Sequence, residues 1–268
     1  MKKLKLLSLT LACLLLASCS VRTDDGRVVK SFSDDAVMIF LSDDTITVSG
    51  ESISGDPTQS VYLSNDIVYY KDGTDFTYGE GTTTDMHTAE EAAEHKVINI
   101  TKPGDYVLKG TLSKGQIAVD LGEDAEDDPN AVVTLEIRDA NITCSVAPAI
   151  VFYNVYECGD DDEDSAKADV DTSRAGANIV IADNSENTIN GAYVAKIYKS
   201  VELSPDGTKV EDSEKLHKYD AAISSKMSMN IFGAAVGNGV LNVNAENEGI
   251  STNLHLTIYG GNLNIVSG

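Results

Sequence analysis

The 268-residue chain contains no tryptophan, and its 20 basic residues are outnumbered by 43 acidic ones, which gives a formal net charge of −23. The lack of Trp argues against a flat aromatic binding platform. The shortage of basic residues excludes nucleic acid as a direct partner, because a phosphate backbone would meet repulsion instead of releasing counterions. The sequence also lacks a G-x-S-x-G motif, a P-loop and a CxxC pair. Acyl transfer, nucleotide binding and thiol redox chemistry therefore have no support.

The N-terminus has the features of a bacterial lipoprotein leader. Three lysines precede an apolar run from Leu6 to Leu16 that is too short and wrongly flanked for a membrane span, so residues 1–18 are predicted to be a secretory signal. The run closes on a Leu-Ala-Ser-Cys sequence that resembles a lipobox, whose cysteine, here Cys19, becomes the lipidated first residue of the mature protein. An ordinary signal peptide with a chance cysteine is the alternative. Several acyl chains on Cys19 predict stable membrane anchoring on the extracytoplasmic side, at the cell surface, and the polar residues 19–35 predict a tether.

Apolar residues recur in the same order along several stretches of the chain. Two successive C-terminal stretches align at a shift of 27 residues and then of 22, with these pairs: Ile223 with Ile250, Met227 with Leu254, Met229 with Leu256, Ile231 with Ile258, Leu241 with Leu263, and Val243 with Ile265. An earlier copy overlays Leu254, Leu256, Ile258 and Leu263 at a constant shift of 121 and consists of Val133, Leu135, Ile137 and Ile142. A looser fourth copy consists of Ala177, Ile179, Ile181 and Ile189.

Each copy is a strand of alternating apolar residues, a turn of small residues and a second short strand, so no copy can bury its apolar face alone. Stacking in a solenoid solves this, because each copy covers the apolar row of its neighbour about 4.8 Å away. The repeats therefore predict an all-β solenoid with Ile223, Ile231, Ile250 and Ile258 inside. An antiparallel sandwich also has short alternating strands, but it gives no reason for position-by-position self-similarity.

The regions outside the repeats are predicted from local signals. Residues 158–174 and 200–218 are long polar insertions, predicted to be loops at one edge of the stack. Residues 36–110 are predicted to form a β-rich cap on the first repeat, with strands at 45–48 and 67–70. Four tyrosines of this region either stack on a ligand or pack against neighbours: Tyr62, Tyr69, Tyr70 and Tyr78.

Two histidines bracket a short predicted helix. Thr88 is its predicted capping residue, and His87 and His95 flank it at a separation of eight. A metalloprotease needs two histidines four residues apart with a glutamate beside the first. A structural role is therefore predicted for both histidines.

Two cysteines besides Cys19 belong to the predicted mature chain. An extracytoplasmic compartment permits a disulfide between Cys144 and Cys158. The alternative is a buried, unpaired Cys144, because it falls on the core position of Ile265 in the repeat alignment. The sequence leaves both open.

Acidic residues cluster at 123–128 and 159–164, inside the predicted loops. Solvation is the ordinary role of such clusters, and calcium binding is the alternative, since calcium takes carboxylate and carbonyl oxygens and is plentiful outside cells. Neither cluster is an EF-hand. A sequence that begins like one at Asp169 has Arg174 where the loop needs Gly and Val180 where it needs Glu.

Five segments together resemble a bacterial carbohydrate-binding family of surface proteins. They are Ile100–Leu108, Gly110–Ile117, Val133–Ile137, Asn187–Gly191 and Asn247–Leu254. None is decisive alone, but their order and spacing are fairly specific.

The resemblance extends over about residues 36–268. It implies a right-handed parallel β-helix similar to calcium-bearing polysaccharide lyases, which we place at residues 111–268, after the capping region 36–110. The repeat pattern runs on to Gly268 without a capping segment, so we expect the helix to be incomplete there.

The resemblance also implies a calcium site at a turn. In the family the turn before the repeat isoleucine tends to hold Asp and Gly, and the equivalents here are Asp220, stacked on Asn247, with Glu248 alongside. Oxygen ligands on adjacent repeats would hold a cation between them. The alternative is that Asp220 begins a strand and the other two are ordinary turn residues.

The predicted function is non-catalytic binding of a polysaccharide, with calcium as a possible bridge to acidic sugars. A polysaccharide lyase is the second hypothesis, because Lys226 lies six residues after Asp220 and is a candidate base, although a solvated lysine is usually only a surface charge. A structural or adhesion module, whose repeats serve as a spacer, is the third.

Overall fold

The computed structural model describes residues 21–24, 27–30, 32–33, 35–159, 167 and 170–268. In this part of the chain the protein is all-β, as predicted, and its single α-helix is α1 (Ala89–Ala93). The strands, in chain order, are β1 (Val21–Asp24), β2 (Arg27–Lys30), β3 (Val37–Leu41), β4 (Thr47–Val48), β5 (Glu51–Ser52), β6 (Val61–Ser64), β7 (Lys96–Ile100), β8 (Gly104–Leu112), β9 (Gly115–Asp120), β10 (Val133–Cys144), β11 (Ile150–Asn154), β12 (Ala177–Ile181), β13 (Glu186–Gly191), β14 (Val194–Leu203), β15 (Val210–Tyr219), β16 (Ala221–Ser225), β17 (Met229–Gly233), β18 (Val240–Ala245), β19 (Glu248–Thr252), β20 (Leu256–Ile258) and β21 (Asn262–Ser267).

Some predictions fall on other residues. The signal over 1–18, the lipidated Cys19 and acidic residues 160–164 lie outside the described residues. None of the helices in the described part is long and apolar enough to cross a membrane.

The strands stack in three parallel rows. In the first row β8, the first half of β10, β12, β17 and β20 lie side by side in that order. In the second row the last part of β8 pairs with the second half of β10, and β13, β18 and β21 follow. The third row consists of β7, β9, β11, β16 and β19. Because every neighbour in a row is parallel, each strand except the last of its row is covered by its equivalent in the next repeat.

Five of the six apolar pairs aligned in the sequence are register partners: Ile223 with Ile250, Met229 with Leu256, Ile231 with Ile258, Leu241 with Leu263, and Val243 with Ile265. The sixth pair, Met227 with Leu254, falls in the turns between strands. The fixed-shift alignment of the two C-terminal repeats is therefore confirmed.

The earlier copy is displaced by two residues from its predicted alignment. Leu135 is the register partner of Ile179, which pairs with Ile231, and Ile231 pairs with Ile258. The sequence shift of 121 had instead aligned Leu135 with Leu256. Side chains alternate between faces with a period of two, so a two-residue slip keeps the same face inside and hydrophobicity cannot reveal it.

The inward side chains of the three rows form one apolar core. Ile223 and Ile231 are fully buried, as predicted, and each such burial contributes about 1.5–3 kcal/mol relative to exposure. Ile250 is half-buried and Ile258 is 52% exposed, so the prediction of a buried Ile258 was wrong. Within the described residues β19 and β20 end their rows, and no further strand covers them.

The insertion at 200–218 is not a loop. Its residues extend β14 and β15, which pair as an antiparallel hairpin. The turn contains Pro205-Asp206-Gly207, with Gly207 at a φ of 71°. Pro pre-sets the first turn position and Gly accepts the left-handed one, so this segment carried a hairpin signal that its polarity obscured.

The outer side of the first row is covered by other segments. Thr172 is buried, and its main-chain oxygen accepts a hydrogen bond of 2.7 Å from Asn230 Nδ2. Asn178 is fully buried on the same side. Lys30, in β2, lies with its Nζ 5.7 Å from the centre of the Phe232 ring. The outer side of β10, β12 and β17 is therefore closed to solvent, although its residues are partly polar.

The N-terminal region joins the repeats directly. β3 pairs in parallel with β8, which also pairs with β10, so the boundary placed at residue 110 falls inside a shared strand. Residues 67–70 do not form the predicted strand, and the strand predicted at 45–48 is limited to Thr47–Val48.

Helix α1 forms as predicted and holds a structural histidine. The Thr88 side chain accepts from the Glu91 N–H and the Glu91 carboxylate accepts from the Thr88 N–H, which is a capping box. His95 is buried, with Nδ1 2.8 Å from the Glu91 carbonyl oxygen, and its Nε2 accepts from the Ser145 N–H at 3.2 Å. The ring therefore ties the helix to the turn after β10.

Candidate functional site

The second row exposes a regular polar surface, which we call the amide face. Along β13, β18 and β21, apolar residues such as Ile189 and Val243 point inward and the alternate residues point outward. The outward residues of this row are Thr111, Asn141, Thr143, Glu186, Thr188, Asn190, Val240, Asn242, Asn244, Asn262, Asn264 and Val266. Every one is half-buried or exposed.

Hydrogen bonds link these side chains from one repeat to the next. Asn190 Nδ2 donates to Thr143 Oγ1 at 2.9 Å, and Asn244 Nδ2 donates to Asn190 Oδ1 at 2.8 Å. In a parallel column Asn264 Nδ2 donates to Asn242 Oδ1 at 2.8 Å. Each asparagine amide has two N–H groups and an oxygen with two lone pairs, so a ladder bond leaves further donors and acceptors directed at solvent.

The amide face is almost free of charge. Among its outward residues Glu186 alone is ionisable, in a chain with a formal net charge of −23. The face therefore offers closely spaced neutral donors and acceptors, repeated about every 4.8 Å along the row. Such an arrangement suits hydroxyl groups, which donate and accept, better than it suits an isolated ion.

A second polar site is a groove over β16 and β19 at the base of the β14–β15 hairpin, which we call the Lys226 groove. It is lined by Lys218, Tyr219, Asp220, Ser224, Ser225, Lys226, Ser251 and Asn253. The candidate base Lys226 lies in the turn after β16. The structure thus brings two of the predicted site residues, Lys226 and Asp220, to opposite ends of one strand.

The contacts of the residues predicted to bind calcium differ from those of a calcium site. Lys218 Nζ lies 2.9 Å from a carboxylate oxygen of Asp220, and this contact raises the pKa of Lys218. Asn247 is stacked on Asp220, but its Nδ2 donates to the Asp220 main-chain oxygen at 3.1 Å, and the Glu248 N–H donates to the same oxygen. The Asp220 carboxylate is paired with a lysine, and Asn247 turns its N–H towards the Asp220 main-chain oxygen. These contacts do not fit a calcium ion, which needs free oxygen ligands. No group of three or more His, Cys, Asp or Glu that could hold a metal occurs in the described part of the chain.

One groove residue, Tyr219, belongs to an aromatic pair. Tyr219 is buried, and its ring meets that of Tyr153 edge-on at 5.6 Å. Burial raises the pKa of both hydroxyls. His217 Nδ1 lies 3.1 Å from the Tyr219 hydroxyl oxygen, and burial, together with the charge of Lys226, lowers the pKa of His217. These pKa shifts favour the neutral forms of the two tyrosines and the histidine.

The tyrosines of the N-terminal region do not form an open aromatic surface. Tyr70 is 1% exposed and packs edge-on against Tyr78, with ring centres 5.1 Å apart. Gly79 and Gly81 lie against the Tyr70 ring so closely that a Cβ on either would collide with it. Tyr62 and Tyr69 are half-buried.

Cys144 and Cys158 are both free thiols, so the disulfide considered from the sequence is not formed. One precedes β11 and the other follows it, which places that strand between them. Cys144 is buried, as one alternative predicted. The alignment that matched it with Ile265 was wrong, because its register partner is Gly191 and Ile142 is the counterpart of Ile265. Burial raises the pKa of each thiol to about 11.

The amide face was not among the sites predicted from the sequence. The signal is the alternation of asparagine with aliphatic residues, as in Leu241-Asn242-Val243-Asn244 and Leu263-Asn264-Ile265. The Lys226 groove has no such signal, because Ser251 and Asn253 reach it from a different repeat.

Comparison with known proteins is consistent with this surface. Residues 94–268 match the family model described as carbohydrate-binding domain-containing protein. A curated protein of the same description from Acetivibrio thermocellus is 30% identical over 175 residues, which cover 65% of this chain and 46% of that protein. The chain thus spans less than half the length of this relative, and no solved structure matches it significantly. The chain belongs to the carbohydrate-binding domain-containing family.

Proposed function

We propose that the protein is a surface-anchored, non-catalytic polysaccharide-binding protein that contacts an extended glycan along the amide face. The observation that carries the proposal is the row of neutral asparagine and threonine side chains on consecutive repeats. Sugar hydroxyls need many weak, bidirectional hydrogen bonds, and a single net bond contributes about 0.5–1.5 kcal/mol. Binding by such a face therefore depends on several repeats acting on one polymer.

The proposed architecture is a right-handed parallel β-helix. The three parallel rows and the register of equivalent residues support the winding. The general preference for right-handed connections between parallel strands supports the handedness. In this architecture the amide face runs straight along the helix axis, which matches a linear polymer.

The non-catalytic assignment rests on the chemistry of the two polar sites. The amide face has one carboxylate, Glu186, and a general acid–base pair needs two positioned groups. In the Lys226 groove, Asp220 is paired with Lys218 and is separated from Lys226 by the length of β16. Lyase activity is the alternative, because the Lys226 groove contains a candidate base, and an assay of product formation tests it.

Anchoring through Cys19 is part of the proposal and rests on the leader sequence. Mass spectrometry of the mature N-terminus should find a lipid-modified Cys19 as the first residue. Cleavage elsewhere with an unmodified Cys19 would contradict this part alone.

The central experiment is a binding array of plant and bacterial polysaccharides with the soluble mature chain, run in calcium and in chelator. We expect retention on at least one polymer without any rise in the ultraviolet absorbance of unsaturated products. Product absorbance would assign the protein to the lyases. Failure to retain any glycan would leave a structural or adhesion role.

A further inference from the structure

Part of the segment that precedes the repeats is docked on the outer side of the first row. β1 and β2 pair as an antiparallel hairpin, and β2 contacts β17. Val29 is 3% exposed and Lys30 is 8% exposed, with the Lys30 Nζ 5.7 Å from the centre of the Phe232 ring. Lysine is rarely buried unless a specific partner holds it, so these contacts fix β2 at one place on the row.

A second contact holds the same segment near the opposite end of the first row. The Ser33 N–H donates to a carboxylate oxygen of Asp105 at 2.7 Å, and Asp105 lies in β8. In this row β10 and β12 separate β8 from β17, so the two contacts are about 14 Å apart, which is three strand spacings. Coils of a solenoid otherwise contact only their neighbours. The segment therefore bridges coils that do not touch one another.

The predicted lipid anchor comes directly before this docked segment. Cys19 precedes Val21, the first residue of β1, by two positions, which the chain can span by at most about 7 Å. A lipid on Cys19 would therefore emerge on the first-row side of the stack. The amide face lies on another side, because β10 passes from the first row to the second at Asp139, whose left-handed φ of 52° turns the chain.

We propose that Arg27–Lys30 and Ser33 form an anchor strap, which holds the first-row side of the stack towards the membrane and leaves the amide face directed away from it. This inference rests on the proposed lipidation of Cys19. A free tether over residues 19–35 would behave as a coil with an end-to-end distance of about 20–25 Å and would let every side of the stack turn to the membrane. The strap keeps the polymer-binding side accessible from outside the cell.

Limited proteolysis of the soluble mature chain tests the docking. Trypsin can cut after Lys30 only when β2 leaves the row, because Lys30 is buried, whereas the cut after Lys209 in the exposed hairpin turn is an internal reference. Phe232→Ala and Val29→Asp should each speed the cut after Lys30 by about tenfold or more, since each removes a contact that keeps the strap closed. Ile231→Ala is the matched control, because Ile231 lies in the same strand but faces the core, and it should leave this rate unchanged. A cut that is as fast in the wild type as in the two variants would overturn the docking.

Vesicles of phosphatidylcholine with a lipid-borne quencher test the orientation of the lipidated chain. A fluorophore is attached through Arg174→Cys, at an exposed position on the first-row side, or through Asn244→Cys on the amide face. Both variants carry Cys158→Ser, and Cys144 is buried. We expect stronger quenching at position 174 than at 244, and loss of this difference when Val29→Asp is added. Equal quenching at the two positions would overturn the strap. Failure of the chain to join the vesicles would overturn the anchoring and the strap together. Neither measurement involves a glycan, so a failure of the polysaccharide array would leave this inference standing.

Discussion

Asn264 donates its side-chain amide to Oδ1 of Asn242, its register partner one repeat earlier, across 2.8 Å. The same bond joins Asn244 to Asn190 and Asn238 to Asn184, each at 2.8 Å. Parallel in-register strands bring identical residue types to the same height, so the amides form ladders. The ladders hold the outward donors and acceptors in a fixed array, which reduces the conformational entropy lost when a polymer binds.

Removing two amides of the ladder should weaken glycan binding more than it weakens the fold. For the double variant Asn242→Ala, Asn244→Ala we expect the affinity for a retained polysaccharide to fall by about 1–3 kcal/mol, since each amide contributes about 0.5–1.5 kcal/mol. Both side chains face outward and no apolar core is lost, so the melting temperature should change little. Affinity electrophoresis and thermal melting check this. Asn65→Ala, at an exposed position outside the rows, is the matched control, and an equal loss of affinity in that variant would contradict the assignment.

Replacing Ile231 or Ile258 by alanine should lower the free energy of unfolding by unequal amounts, although the two residues are register partners. Ile231 is fully buried between Ile179 and Ile258, so Ile231→Ala should lower the free energy of unfolding by about 2–5 kcal/mol through lost burial and a residual cavity. Ile258 is 52% exposed at the end of the row, and Ile258→Ala should cost less than half as much. Urea unfolding monitored by circular dichroism measures both. Equal losses would mean that Ile258 is covered in solution.

Stability should fall as the pH is lowered from 7 towards 5, in part through His95. Burial lowers the pKa of this imidazole, and its Nε2 already accepts from the Ser145 N–H, so a proton on Nε2 would face that N–H donor. Above the unfolded value of about 6.5 both states are neutral, and below it the unfolded chain takes up a proton that the folded chain resists. The lost stability accumulates until the pH falls below the folded pKa. His95→Gln should show a shallower decline over this window, and an unchanged slope would refute the role.

Calcium binding at the acidic stretches stays a prediction, and the Asp220 turn should not contribute to it. A saturating ion would raise the free energy of unfolding by about 2.7 kcal/mol at a hundredfold excess over Kd. Because Lys218 already pairs with the Asp220 carboxylate, Asp220→Ala should keep whatever melting shift the wild type shows between chelator and millimolar calcium. Loss of the shift in this variant alone would restore the turn as the site.

Local signals predicted the elements they encode directly. The Thr88 cap and the alternating apolar rows were visible because a helix start and a strand face are set by neighbours in the chain. The hairpin around Gly207 was missed because polar and charged residues predominate in its strands, although the turn residues were present. The two-residue slip at Leu135 was invisible, since both registers place apolar residues inside.

The sequence by itself determined the all-β class, the pairing of Ile231 with Ile258 and the family, because apolar periodicity and repeat spacing fix which faces of equivalent strands must meet. Only the tertiary structure decided which outward faces remain open. Asn230 and Asn244 are both outward asparagines in successive strands, yet Asn230 is fully buried under Thr172 while Asn244 is exposed. The difference arises because segments distant in sequence fold back over the first row and leave the second row in water, and such long-range coverage follows no period in the sequence.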